Sequence, residues 1–297
     1  MTKKTIDELI NETFGESVSI IGRNNAFGGD IADSTVLTLS NGEKVFLKTH
    51  QKHKAAMYSS EAIGPETIAG TGAIKTPIVY GHGIDEERNC SYILMEAIES
   101  GRKKADFWEE FGHSLAMMHK ADTTRLVPRG AFGFSCDTYI GPNVQLNSGH
   151  SSWVQFFRSC RLMPQIKMAS MYFDNKEKQL FDKLLEKLET LLIEPDHPSL
   201  LHGDLWGGNF MTDEHGDPVL IDPAVYIGNA EADIAMTMLF GGFSERFYVA
   251  YQEIMPFQEG INDRIDLYNL YHLLNHLNLF GEGYLPDVLQ ILYKYTK

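Results

Sequence analysis

Three residues have the types and spacing that phosphoryl transfer needs. Asp204 and Asn209 lie five residues apart in Leu201-His202-Gly203-Asp204-Leu205-Trp206-Gly207-Gly208-Asn209, and Asp222 follows Asn209 by 13 residues in Leu220-Ile221-Asp222-Pro223. A carboxylate can accept the hydrogen bond of an attacking hydroxyl and orient its oxygen for in-line displacement. An amide oxygen and a second carboxylate can ligate a hard cation such as Mg2+. Asp204 is therefore the candidate base, and Asn209 and Asp222 are the candidate metal ligands. A Gly-rich turn that merely caps backbone groups would account for His-Gly-Asp alone. The whole nine-residue run, followed by strand, turn, strand and Ile221-Asp222, favours the chemical reading. His202 can brace the loop through its ring. Trp206 either fills volume or walls an acceptor site, since indole stacks on the apolar faces of sugars.

These residues need elements to position them. Thr5 to Phe14 reads as a short helix. Val36 to Ser40 and Lys44 to Lys48 read as strands around the turn signal Asn41-Gly42, which predicts a hairpin. Ala55 to Ala69 is partly helical in pattern, and Pro77 to Gly81 and Tyr92 to Glu96 read as further strands. From Asp106 the spacing turns helical, with Phe107, Phe111, Leu115 and Met118 on one face. Two short strands, Asn209 to Thr212 and Pro218 to Ile221, interrupt the helices, and the candidate residues sit on loops at their ends. The pattern predicts an α+β fold of two lobes, 1–96 and 97–297, joined near Glu96 to Gly101.

Lys48 closes the second strand of the hairpin, where a lysine can reach phosphates. Glu61 on the next helix is its expected partner, with Glu66 as the alternative, because Gly64-Pro65 leaves the helix register open. In Phe27-Gly28-Gly29-Asp30, Gly28 and Gly29 permit close backbone approach to phosphates. Met95, Glu96 and Ile98 are candidates for reading an adenine edge. No GxxxxGK[ST] pattern occurs, which disfavours an ordinary P-loop NTPase.

Composition sets outer bounds. A formal charge of −14 disfavours nucleic acid and anionic membrane surfaces as partners. No apolar run approaches the ~18 residues of a membrane span. No secretory signal is expected at the start, and the three cysteines lack metal-ligand spacing, so a reducing cytoplasm is the expected compartment.

At His202 to Asn209 the sequence resembles the fructosamine kinase (ketosamine 3-kinase) family, related in fold to aminoglycoside phosphotransferases and protein kinases. The family loop reads His-Gly-Asp-Leu-Trp-Ser-Gly-Asn. Further likeness lies in Thr71 to Pro77, Phe132-Gly133-Phe134, Gln145-Leu146-Asn147, Trp153 to Phe157, Arg161-Leu162, Asp222-Pro223-Ala224, Glu231 to Met236 and Leu239 to Phe243. The resemblance implies a bilobal protein-kinase-like fold with ATP and Mg2+ in its cleft. It also implies phosphorylation of the 3-hydroxyl of ketosamines, on small amines or protein lysines, in deglycation. By position, Asp204 is the base, Asn209 and Asp222 bind Mg2+, Lys48 binds phosphates and Glu61 positions Lys48. His202 and Trp206 fall on the acceptor side. Three positions depart from the family: Gly207 replaces the usual Ser, Asp30 a common Cys, and Pro65 an apolar residue. The rival readings are a kinase of the aminoglycoside or choline type and a non-catalytic nucleotide-binding protein. Trp206 argues against the first, and intact Asp204 and Asp222 against the second.

Overall fold

The computed structural model describes residues 3–25 and 33–297. Gly28 and Gly29 therefore lie outside the described residues. The chain divides into two compact units. One comprises Met1–Phe107, Gly141–Asn143 and Asn209–Pro223; the other comprises Trp108–Ile140, Val144–Gly208 and Ala224–Lys297.

The first unit is built on a five-stranded antiparallel sheet. Its strands are β1 (Ile20–Asn25), β2 (Asp33–Leu39), β3 (Lys44–Gln51), β4 (Val79–Asp85) and β5 (Cys90–Glu96), in the order β1-β2-β3-β5-β4. Alternation decides its faces. Leu37, Leu39, Val45, Leu47, Tyr92 and Leu94 point to one side, where helix α1 (Ile6–Phe14) closes the core with Ile6 and Ile10. Thr5 caps α1 reciprocally with Glu8, and buried Asp85 accepts the Ile6 N–H at 3.0 Å. Lys48, one residue out of phase with Leu47, points to the other side. There β3 pairs Lys48 with fully buried Ile93.

Helix α2 spans Ala55–Ala69 without a break, although Pro65 lies inside it. A proline at this position removes one N–H bond and crowds the preceding turn. The packing around it compensates: Gly64 lies so close to Pro223 that a Cβ there would be 2.9 Å from Pro223 Cγ. The hairpin Phe210–Thr212 and Pro218–Leu220 belongs to the same unit, and Leu220 N–H donates to Lys75 O at 2.9 Å.

The second unit is mainly helical, with long helices at Asn175–Leu191 and Ile261–Phe280. Its core is aromatic. Fully buried Trp153 packs on Phe132, Phe156, Phe157 and Tyr268. The Arg161 guanidinium stacks 3.8 Å from the Tyr226 ring centre and donates to Leu146 O and Asn147 Oδ1, which offsets part of the cost of burying it. Strands Ser199–Leu201 and Tyr226–Gly228 pair antiparallel, so Leu201 sits opposite Tyr226 at the mouth of the loop that begins at His202. No described helix is long and apolar enough to cross a membrane.

Candidate active site

Lys48, Glu61, Asn209 and Asp222 belong to the first unit, and His202, Asp204 and Trp206 to the second. In the first, β3 and α2 bring a lysine and an acid together. Lys48 Nζ lies 2.7 Å from Glu61 Oε1 and 2.6 Å from Asp222 Oδ1. Glu61, not Glu66, is thus the partner, because α2 keeps one register through Pro65. Burial works against the ammonium, but Asp222 and then Glu61 outweigh it and hold Lys48 protonated, above the usual lysine range. Glu61 does not fall as a simple ion-pair partner would. Burial, with Asp222 as a second anion, pushes it up against the pull of Lys48. Two carboxylates compete for one ammonium.

Asp222 takes φ +52°, and it and Asn89 are the non-glycine residues with positive φ among those described. Such backbone strain persists where surroundings enforce it, often at functional sites. Here the enforcing contacts are the bond from Ile221 N–H to Asn209 O at 3.0 Å and the close seat of Pro223 on Gly64. Gly64→Ala should force Pro223 away. The expected result is about 1 kcal/mol lost, overpacking of ~1–3 kcal/mol being partly offset by better helix propensity. Melting curves check it.

In the second unit the loop is held by its backbone. Ala224 N–H donates to His202 O at 2.8 Å, and Gly203, at φ +82°, approaches so closely that a Cβ would lie 2.1 Å from Ala224 O. Only glycine serves there. His202 is fully buried, and its Nδ1 accepts the Asp204 N–H at 3.3 Å, a bracing position rather than a surface one. Trp206 is exposed, 6.2 Å from Phe240 and edge-on to it. From Phe240 a strip of rings continues through His276 to Phe280 and Tyr284. The Trp206 ring lies over Gly208, where a Cβ would meet it at 2.3 Å and displace it, whereas a Cβ at Gly207 would meet nothing nearer than Gly241 O at 3.3 Å. The family serine is therefore absent from a place with nearly enough room for it.

One residue without an assigned role proves central to this loop. Buried Asp233, in the first turn of helix Glu231–Leu239, accepts His202 N–H at 2.7 Å and Gly203 N–H at 2.9 Å. Its Oδ2 also meets His119 Nε2 at 3.2 Å, and His119 Nδ1 meets the Tyr251 hydroxyl. Burial alone would raise the Asp233 carboxyl, but these hydrogen bonds and the nearby histidines draw it below the usual range. The only hint in the sequence is a pair of acids, Glu231 and Asp233, at the start of an otherwise apolar helix.

Met95 and Glu96 end β5; Met95 is buried, and the Glu96 N–H is already committed to Ile78 O at 2.8 Å. Ile98 follows in irregular chain.

This fold is protein-kinase-like. Choline kinase LicA from Streptococcus pneumoniae superposes with a TM-score of 0.61 at 14% identity, over 98% of both chains. The model of the fructosamine kinase family matches residues 2–297, and the chain belongs to that family. It is therefore an ATP-dependent kinase. A protein named as a probable ketoamine kinase in Synechocystis sp. is 38% identical over 290 residues, 97% of this chain and 95% of its own. The chloroplastic protein-ribulosamine 3-kinase of Arabidopsis thaliana is 40% identical over 257 residues, 85% of this chain and 76% of its own. The structure of a fructosamine-3-kinase candidate from Haemophilus somnus superposes with a TM-score of 0.87 at 27% identity, over 99% of this chain and 97% of that one.

Proposed function

We propose that this kinase transfers the γ-phosphoryl group of ATP to the 3-hydroxyl of ketosamines. The observation that carries phosphoryl transfer is Lys48 held between Glu61 and Asp222; the names of the relatives point to the acceptor. Lys48 would exchange Asp222 for nucleotide phosphate oxygens while Glu61 keeps it in place. Asp204 would accept the proton of the acceptor hydroxyl. Met95, Glu96 and Ile98 would frame the adenine, and Gly28 and Gly29 the phosphates. In the open-chain ketosamine 3-phosphate the carbonyl is at carbon 2 and the amine on carbon 1, so enolisation between them lets the carbon 3 phosphate leave as inorganic phosphate. Hydrolysis of the resulting imine by water frees the amine, which fits a deglycation role. The three free thiols fit a reducing compartment such as the cytoplasm.

Asn209 and Asp222 suit Mg2+. They offer an amide oxygen and carboxylate oxygens, hard donors, and the half-exposed Asp222 side chain leaves room for phosphate and water in the remaining positions. The cation would neutralise charge on the transferred group. ATP is expected to raise the melting temperature more with Mg2+ than without, and Asp222→Ala to abolish that difference. Equal shifts in the wild type, with and without metal, would remove Asp222 from this role.

Trp206, exposed and next to Phe240, would form one wall of the acceptor site. Trp206→Ala is expected to raise KM for a ketosamine about tenfold, the cost of losing one stacking face, and to leave KM for ATP unchanged. Steady-state kinetics with each substrate varied separate the two. The function itself is tested by incubating the protein with ATP, Mg2+ and a ribulosamine or fructosamine and detecting the 3-phosphate. No turnover on any ketosamine, with ATP bound normally, would sink it. Turnover on an aminoglycoside or amino alcohol would replace it.

A further inference from the structure

One buried polar atom near the catalytic loop has no part in the scheme above. Helix Ile261–Phe280 carries His272 into the interior of the second unit. Its Nδ1 has no hydrogen-bond partner and lies 3.9 Å from Asp204 Oδ1. That is about 1 Å too long for a hydrogen bond. Native interiors leave few such atoms, because an unpaired one costs free energy. The ring is buried, and Tyr271 packs edge-on to it at 5.0 Å, the Tyr271 hydroxyl donating to Gln145 Oε1. Of the two groups, the Asp204 carboxylate is the more exposed, so it is the one whose rotation closes this distance at least cost.

We propose that His272 is a positioning residue for Asp204: its Nδ1–H donates to Asp204 Oδ1 as the acceptor binds, which turns Oδ2 toward the acceptor hydroxyl. The inference rests on Asp204 being the base. Chemistry assigns the tautomer, since a carboxylate only accepts, so the proton resides on Nδ1. Electrostatics keep the ring uncharged. Burial, helped by His276 and Arg161 and opposed by Asp233, pushes the His272 pKa down to about 3. A neutral donor can orient a carboxylate without forming the ion pair that would weaken it as a base. The Tyr271 phenol, also facing this region, is pushed up by burial and stays protonated.

The test compares His272→Asn, His272→Gln and His272→Leu with Asp204→Ala, reading kcat, both KM values and melting temperature. An asparagine amide nitrogen falls where Nδ1 stands; that of glutamine falls near Nε2. The Leu and Gln variants are expected to lose about tenfold in kcat, the scale of one hydrogen bond to a charged group, with KM for ATP unchanged. The Asn variant should recover to within about threefold of wild type, whatever its melting temperature. Equal kcat for Asn and Gln overturns the inference, as does wild-type kcat in all folded variants. An inactive Asp204→Ala beside a fully active His272→Leu defeats this inference alone, whereas a fully active Asp204→Ala defeats the assignment of the base. If the Leu variant does not fold, the Asn and Gln pair decides.

Discussion

Asp204→Ala is expected to lower kcat on a ketosamine by about 10²- to 10⁴-fold, the usual contribution of a positioned base, with KM for ATP changed less than about twofold. The loss should be chemical rather than structural, because other groups anchor the backbone of the loop. Leu201 pairs with Tyr226, Ala224 N–H bonds His202 O, and Asp233 takes the N–H groups of His202 and Gly203. Asp204→Asn keeps the shape but offers an amide that cannot take a proton, so it should lose as much. Both variants should melt within about 2 °C of wild type, as expected of changes outside the core. Steady-state kinetics beside melting curves settle the point. A kcat within tenfold of wild type in either variant would take the base role from Asp204.

Asp233→Asn is expected to be the most damaging substitution away from the reacting atoms. Asp233 Oδ1 accepts one backbone N–H, and Oδ2 accepts another and faces His119 Nε2. Wherever an asparagine NH2 is placed, it confronts a donor. Each buried donor left unpaired costs about 1–3 kcal/mol, so a loss of about 3 kcal/mol is expected. For a chain of this size that is a fall in melting temperature of about 6–12 °C. With the loop backbone released, kcat should drop as well. The pH dependence has a definite sign. The folded carboxyl titrates below its unfolded value near 3.9. Its stabilisation is therefore complete above that value and disappears as pH falls through the lower, folded one. Asp233→Asn should be less stable at neutral pH and should show a flatter stability profile below about pH 4. Denaturation at a series of pH values reads both features. An unchanged acid profile would show that Asp233 contributes nothing through its charge.

Fold class and family were legible in the chain because local rules carry them. Asn41-Gly42 between alternating runs gives a hairpin, and β2 and β3 flank it as read. The helical spacing after Asp106 gives the helices of the second unit. The loop from His202 to Asn209 announces its chemistry because base, glycines and amide are close in sequence. The partner of Lys48 was only half legible. The sequence points to Glu61, with Glu66 as the alternative, because Gly64-Pro65 leaves the helix register open. The choice fell to packing, with Gly64 against Pro223 in a helix that does not break.

Residues distant in sequence were not legible at all. Asp233 meets the backbone of a loop 31 positions earlier, and His272 lies beside Asp204 across 68 positions (272 − 204). Neither follows any period of helix or strand, and a buried acid or histidine looks in sequence like any other polar residue on a helix. By itself, then, the sequence determined the reaction class and the family, and it singled out the candidate site residues, since these depend on residue type and short spacing. The tertiary structure alone decided which acid holds Lys48, what strains Asp222, what anchors the loop and what stands behind Asp204. Those are burial and distance effects, created only when remote parts of the chain are packed together and water is excluded between them.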